Sequence, residues 1–299
     1  LSESHALVLG CGYVGLALTR CLRDAGIRVT ATTRSRERFD ELEAAGAIPA
    51  LADVMDPATL RPLAASAPDV VFDLIRPQRI DEGRYTAWGT RNIASTFDTG
   101  SLEALIYLSS TSVYGRRSGE WTDETTEVNP SSPVGHARVE AERIYLECFQ
   151  ERELPVRICR VPGIYGPGRT LRQRLESGAY RRIDDEKLWI SRIHAEDLAA
   201  GLVAAWLKGR AGEIYLLCDD EPMTACDYAE LTARLLSLPL PPTVDRDDIR
   251  QELNRDAFER RISARRCSNR RMRTELEVDL RYPSARQGVP AALREEGAL

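Results

Sequence analysis

The sequence predicts an α/β protein: a doubly wound parallel sheet with helices on both faces, completed by a smaller C-terminal lid. Three observations carry this expectation. Short apolar runs alternate with helix-periodic stretches through the first half of the chain. The runs show no apolar/polar alternation, so both faces of the strands should be buried, as in parallel sheets. Past about residue 162 the alternation loosens into turn-rich segments such as Gly166-Pro167-Gly168 and Pro239-Leu240-Pro241-Pro242.

The elements follow in order. His5 to Leu9 reads as a buried strand, and Leu16 to Ala25 as a helix stopped by Gly26. Ile27 to Thr33 is a β-branched second strand; Glu37 to Ala45 is helical and ends at Gly46. Ile48 to Leu51 is a third strand, Leu60 to Ala67 a helix broken by Pro68, and Val70 to Ile75 a fourth strand. Tyr85 to Asp98 reads as a helix, Leu105 to Ser109 as a strand, Glu140 to Arg152 as a helix and Val156 to Val161 as a sixth strand. Beyond it Ala195 to Leu207, Asp227 to Ser237 and Arg246 to Phe258 read as helices and Ile214 to Cys218 as a strand. Residues 1–161 are thus expected to form the sheet domain and 162–299 mainly a substrate-binding lid, with crossings between them. Ligands in such sheets bind beyond the carboxyl ends of the strands.

Composition excludes several classes. The 299 residues carry a net charge of -5, which argues against nucleic acid as the main partner. No apolar run approaches the ~20 residues a membrane helix needs, and the first residues lack a signal-peptide pattern. The seven cysteines contain no Cys-x-x-Cys pair, so reduced thiols in a cytoplasmic protein are expected. His5, His136 and His194 are the three histidines, and none has a second ligand at metal spacing.

Chemistry concentrates at strand ends. Gly10-Cys11-Gly12-Tyr13-Val14-Gly15 follows the first strand at once and opens a helix. In that position Gly10 permits a tight turn, Gly12 lets backbone approach a pyrophosphate, and Gly15 lets helix and strand pack closely. The N–H groups from Tyr13 and Val14 onward would face the phosphates. A Rossmann dinucleotide site is the expectation. The second strand ends in Thr32-Thr33-Arg34-Ser35-Arg36, with no acid before Glu37 to take a ribose 2′-hydroxyl. Arg34 stands where a 2′-phosphate would lie, which favours NADP(H) over NAD(H). Arg38 reads instead as part of a solvated helix face. Asp53 follows the third strand; it is either an acceptor for an adenine amino group or a cap for the helix near Pro57.

These segments, with Ser109-Ser110-Thr111-Ser112-Val113-Tyr114-Gly115, Gly163-Ile164-Tyr165-Gly166-Pro167-Gly168 and Arg192-Ile193-His194-Ala195-Glu196-Asp197-Leu198, resemble the extended short-chain dehydrogenase/reductase superfamily, also called the NAD-dependent epimerase/dehydratase family. The tail Arg281-Tyr282-Pro283-Ser284-Ala285-Arg286-Gln287-Gly288 resembles its atypical branch. The resemblance covers nearly the whole chain. It implies a serine or threonine four residues before the tyrosine of Val-Tyr-Gly, which is Ser110, to bind the reacting oxygen. The four hydroxyl residues at 109 to 112 leave that assignment open by one residue. It also implies a cofactor-side role for Pro162, substrate contacts near Tyr165, Arg192 and His194, and a homodimer through helices 85–98 and 138–152.

One departure stands out. The family's Tyr-x-x-x-Lys falls here on Val134 and Arg138, in Pro133-Val134-Gly135-His136-Ala137-Arg138. Valine moves no proton. Arg138 can still hold a ribose through its N–H fork, but it does not titrate usefully. Tyr114, then Tyr165, then His136 are the candidate replacement donors, with water or the substrate itself equally allowed. His136 would point about 200° away from Val134 on a helix.

Eight arginines crowd residues 255 to 273. Interspersed acids favour a solvated face, and an anionic substrate is the sharper alternative. The expected function is NADP(H)-dependent hydride transfer to or from a small carbonyl or imine-like substrate. A non-catalytic NADP(H) sensor or scaffold and a sugar-nucleotide epimerase/dehydratase are the alternatives.

Overall fold

A computed structural model describes residues 4–97, 100, 102–183, 185 and 187–299. Seven parallel strands form the central sheet: β1 (His5–Leu9), β2 (Arg28–Thr33), β3 (Ile48–Leu51), β4 (Val70–Asp73), β5 (Ala104–Leu108), β6 (Val156–Arg160) and β7 (Ile214–Leu216). Their spatial order is 3-2-1-4-5-6-7. The order reverses between β1 and β4, and a crevice opens at such a point beyond the strand ends.

The lack of alternation in the strands has its expected cause. In β1, Ala6 and Val8 face one core with Leu18, Leu22 and Trp206. Leu7 and Leu9 face the other with Leu60, Ile93 and Tyr145. Both faces are covered by helices: α1 (Tyr13–Asp24), α2 (Phe39–Ala44), α3 (Pro57–Ala65), α4 (Trp88–Thr96), α5 (Pro133–Arg152) and α6 (Ala195–Lys208). β3 lies at an edge, where Pro49 costs no ladder bond in the middle of the sheet. β7 comes from beyond residue 161, so the C-terminal part of the chain returns to complete the sheet.

Several expected elements shift. The helix expected over 85–98 begins only at Trp88, and its expected end, Asp98, lies outside the described residues. Gly83, at φ +75°, turns Gln78–Asp81 back on Arg84–Thr86, so Tyr85 pairs in a hairpin instead. The helix expected from Glu140 starts seven residues earlier at Pro133, whose ring suits a first helical position, with the Ser132 hydroxyl accepting from the Gly135 N–H at 3.2 Å. The helix expected over 246–258 breaks in two, Arg246–Glu252 and Arg255–Ile262, because the Asn254 side chain caps the second. Among the described residues no helix is long and apolar enough to cross a membrane.

Candidate functional site

The glycine turn sits at the carboxyl end of β1. Gly10 has φ +73°, and a Cβ there would stand 2.5 Å from the Ile75 side chain. The α1 N-terminus is capped by Gly12, which offers no side-chain acceptor. Its first N–H groups therefore remain for a ligand, and the helix dipole favours an anion there. A Cβ on Gly15 would meet the Cys11 side chain at 3.0 Å, so the glycine permits α1 to lie close to its turn. This cradle fits a dinucleotide pyrophosphate.

The second strand delivers its arginines differently from expectation. Arg34 is exposed, and among the described residues it has no ion pair or hydrogen bond. Arg38, expected on a solvated face, instead donates from Nη1 to the Cys11 carbonyl at 2.8 Å and pairs with Glu41. The 3₁₀ turn Arg36–Arg38 swings its side chain back under the glycine turn. Asp53 is not the helix cap: Asp56 accepts from the Ala58 N–H, whereas Asp53 accepts from the Met55 N–H at 3.0 Å.

The second cluster lies at the ends of β5 and β6. Ser109 donates its N–H to the Cys159 carbonyl and Thr111 to that of Val161, so the 110–114 turn is fixed against the chain leading into Pro162. Ser110 is half-buried and caps this turn, its hydroxyl accepting from the Ser112 N–H at 3.2 Å. Gly135 lets α5 approach, because a Cβ there would stand 2.9 Å from the Ser112 carbonyl oxygen. The start of α5 is therefore packed against the turn that Ser110 caps, with Val134 and Arg138 one turn apart on one helix face. Arg138 is buried and donates to the Leu108 carbonyl at 2.8 Å. His136 is exposed, as its angular offset requires.

A polar layer supports this cluster from below. Glu142 and Arg160 form a buried ion pair at 2.7 Å, and Ser109 donates to Glu142 at 2.5 Å. Burial opposes the Arg160 charge, but the bonds to Glu142 outweigh it and hold the guanidinium protonated. Asp73, at the end of β4, accepts from the Tyr145 hydroxyl at 2.7 Å; burial raises its carboxyl to about 6.

Two candidate donors are drawn into structure. Tyr114 is fully buried, donates to the Asp123 carbonyl at 2.8 Å and accepts from Arg160 at 2.9 Å. Burial pushes its hydroxyl up to about 12. Both bonding directions are taken, which suits packing rather than proton transfer. Tyr165 is likewise buried, with its ring edge-on to His194 and Tyr228 and its hydroxyl near the Ser284 carbonyl.

His194 caps α6, its Nδ1 accepting from the Glu196 N–H at 3.3 Å. Burial lowers it to about 4, so the ring is neutral with its proton on Nε2, and Nε2 is buried without a partner. The Tyr13 hydroxyl is also buried and unpartnered, and both atoms border Gly166, the hydroxyl standing 2.6 Å from where a Cβ would be. Arg169 stacks 4.4 Å above the Tyr13 ring. Arg192 lies 3.8 Å over the Tyr228 ring, with its Nε buried and unpartnered.

Sequence reasoning missed three polar groups with buried atoms, two in this half of the chain and one, Arg117, in the other. Asp219 follows β7 with both carboxyl oxygens buried and unpartnered, and burial raises it to about 8. Arg265, read as part of a solvated run, is only 6 % exposed. Arg117 has a buried, unpartnered Nε. No local pattern marked Arg265: Ala264, Arg265 and Cys267 are all buried, whereas Arg266 stacks on Trp121 and Trp189.

The model of the NAD dependent epimerase/dehydratase family matches residues 6–218. The chain belongs to this family. The family is NAD dependent, so its cofactor is a nicotinamide dinucleotide. Its sequence is 25 % identical to a 3-diazoavenalumate denitrifying reductase of Streptomyces sp over 95 % of this chain and 99 % of that one. It is 24 % identical to a 4-hydroxy-2-methyl-3-oxo-4-farnesyl-3,4-dihydroquinoline-1-oxide ketoreductase of Stigmatella aurantiaca, over 74 % of this chain and 70 % of that one. Among solved structures, a conserved protein of unknown function from Silicibacter pomeroyi DSS superposes with TM-score 0.83 at 33 % identity, over 98 % of this chain and 99 % of that one. The dTDP-glucose 4,6-dehydratase of Bacillus anthracis in complex with NAD superposes with TM-score 0.79 at 16 % identity, over 98 % and 96 %; at that identity the likeness is one of fold.

Proposed function

We propose that this protein is an NADP(H)-dependent reductase or dehydrogenase acting on a small carbonyl or imine-like substrate. The observation that carries this is the helix start at α5, which Gly135 lets pack against the turn that Ser110 caps; on this reading Val134 and Arg138 take the places of a tyrosine and a lysine. When bound, the dinucleotide supplies or accepts the hydride. The glycine turn holds its pyrophosphate, and Arg34 takes a 2′-phosphate, for which its exposed and unpaired guanidinium is suited. Asp53 keeps the free carboxyl oxygen an adenine amino group needs. Arg138 steadies the ribose, and Pro162 borders the nicotinamide.

Ser110 donates to the reacting oxygen or nitrogen, and Arg192 and His194 border the substrate. With no tyrosine at position 134, a substrate that arrives protonated suits the site best, because it needs no strong acid. The reductase named above, which this chain matches over 95 % of its own residues and 99 % of the relative's, supports hydride transfer. All seven cysteines are free thiols, which suits a reducing cytoplasm. A homodimer through α4 and α5 belongs to the same proposal: Trp88, at the head of α4, is 59 % exposed.

The test is a titration followed by turnover. NADPH should bind more tightly than NADH, and a panel of ketones and cyclic imines should include one that consumes NADPH. Tight NADPH binding with no turnover, and no effect of Ser110→Ala in cells, would favour a sensor, the second reading that Val134 supports. Conversion of a nucleotide sugar without net cofactor loss would favour epimerase or dehydratase chemistry.

A further inference from the structure

Arg265 is an unusual residue to find buried. It is 6 % exposed, and among the described residues no ion pair neutralises it. Its Nη1 is wholly shielded and unpartnered. Burying a cation without a partner is costly, and native chains keep such groups where something else supplies the counter-charge. Burial accordingly lowers the affinity of Arg265 for its proton, and the neighbouring Arg117 lowers it further.

Arg265 precedes the two-residue strand Arg266–Cys267, which pairs with Trp121–Thr122 in parallel register. Cys267 faces Thr122 across that ladder, and the Thr122 hydroxyl is buried with no partner among the described residues. Arg117 lies on the loop that leads from the 110–114 turn to this strand. Its Nη2 donates to the Glu127 carbonyl, and its Nε is buried and unpartnered. No ion pair neutralises Arg117 either among the described residues, whereas the adjacent Arg116 is paired with Glu259. Arg265 Nη1, Arg117 Nε and the Thr122 hydroxyl, each without a partner among the described residues, thus lie on two segments that pair with one another, and two of the three belong to cations with no ion pair.

We propose that Arg265, with Arg117 and the Thr122 hydroxyl, forms an oxyanion site that takes a carboxylate or phosphate group of the substrate. A guanidinium presents paired N–H groups that match the two oxygens of either. The site rests on the proposed reductase function for the meaning of its ligand, but not for its existence. It fixes the substrate class: a small carbonyl or imine that also bears an acidic group, held so that its reactive carbon lies toward Ser110.

The test uses the full chain with sodium acetate and inorganic phosphate as probes, at ionic strength matched with chloride. Either probe should raise Tm saturably and give a measurable Kd by calorimetry. In Arg265→Met that Kd should weaken at least tenfold, while Tm without probe rises by roughly 2–4 °C because the uncompensated charge is gone. Arg117→Gln, on the half-exposed loop, should weaken the Kd by a smaller factor and provides the variant if Arg265→Met does not fold. No saturable response to either probe in the wild type, or an unchanged Kd in both variants, would overturn the site. NADPH titration of the same proteins separates the two proposals. Normal NADPH binding with no anion response defeats only the oxyanion site; anion binding with no NADPH binding defeats only the reductase.

Discussion

The guanidinium of Arg38 donates to the main-chain carbonyl of Cys11 at 2.8 Å. This bond ties the turn after β2 to the glycine turn after β1, the two segments that a dinucleotide must bridge. It divides labour between neighbouring arginines: Arg38 supports the turn, and Arg34 stays free for a ligand.

The first prediction follows from that division. Arg34→Ala should weaken NADPH by about 10- to 100-fold, the loss of one or two charge-assisted hydrogen bonds, and leave NADH nearly unchanged. Arg38→Ala should weaken both cofactors by similar factors, because it loosens the shared pyrophosphate turn. Fluorescence titration with both cofactors reads this directly. Equal losses of NADPH and NADH on Arg34→Ala would sink the 2′-phosphate assignment.

Val134→Tyr probes the missing acid. The position is half-buried, on the same helix face as Arg138 and beside the Ser110 turn. A positioned acid contributes about 10²–10⁴ in rate. For a ketone substrate the substitution should raise kcat by tenfold or more; for a substrate that arrives as a protonated imine it should give nothing or reduce the rate by crowding. The ratio of the two responses, measured with one enzyme preparation, reports which substrate class the native site serves.

The buried pair under the site should be expensive to break. Glu142 and Arg160 are each 5 % exposed and meet at 2.7 Å. Removing one partner strands the other, so Glu142→Leu should cost about 3–5 kcal/mol. The double variant Glu142→Leu with Arg160→Met should recover most of that. Urea unfolding of the three proteins decides, and additive losses would show that the pair is not the unit.

Asp219 sets a pH dependence of stability. Its folded carboxyl is raised to about 8 by burial, against about 3.9 in an unfolded chain. A raised folded value means its contribution is fully present below about pH 4 and is lost as pH rises toward 8. The loss is on the order of 5 kcal/mol across that window. Asp219→Asn should flatten the fall in unfolding free energy between pH 5 and 8. A profile identical to wild type would show that the carboxyl is ionised and solvated.

How much of this was legible beforehand varies by residue. Gly10, Gly12 and Gly15 announced their turn because backbone geometry at a strand–helix junction is a local demand. Val134 and Arg138 could be proposed as a departure because the resemblance assigns them places within one local stretch. The strands were legible because burial on both faces leaves unbroken apolar runs. Helix starts were less so: Pro133 reads as a breaker until Ser132 is seen to cap the helix it begins.

What the chain order alone determined, then, was the doubly wound sheet and the glycine turn at the end of its first strand. Each depends on residues close together in sequence. The tertiary structure decided the rest, because those properties depend on neighbours brought from elsewhere. It sent Arg38 to Cys11 and left Arg34 free. It used up both bonding directions of Tyr114 through Arg160 and Asp123. It turned one arginine of a charged run, Arg265, into a buried cation beside Arg117. Whether a charged side chain is solvated or buried is a matter of what packs over it, and no local pattern fixes that.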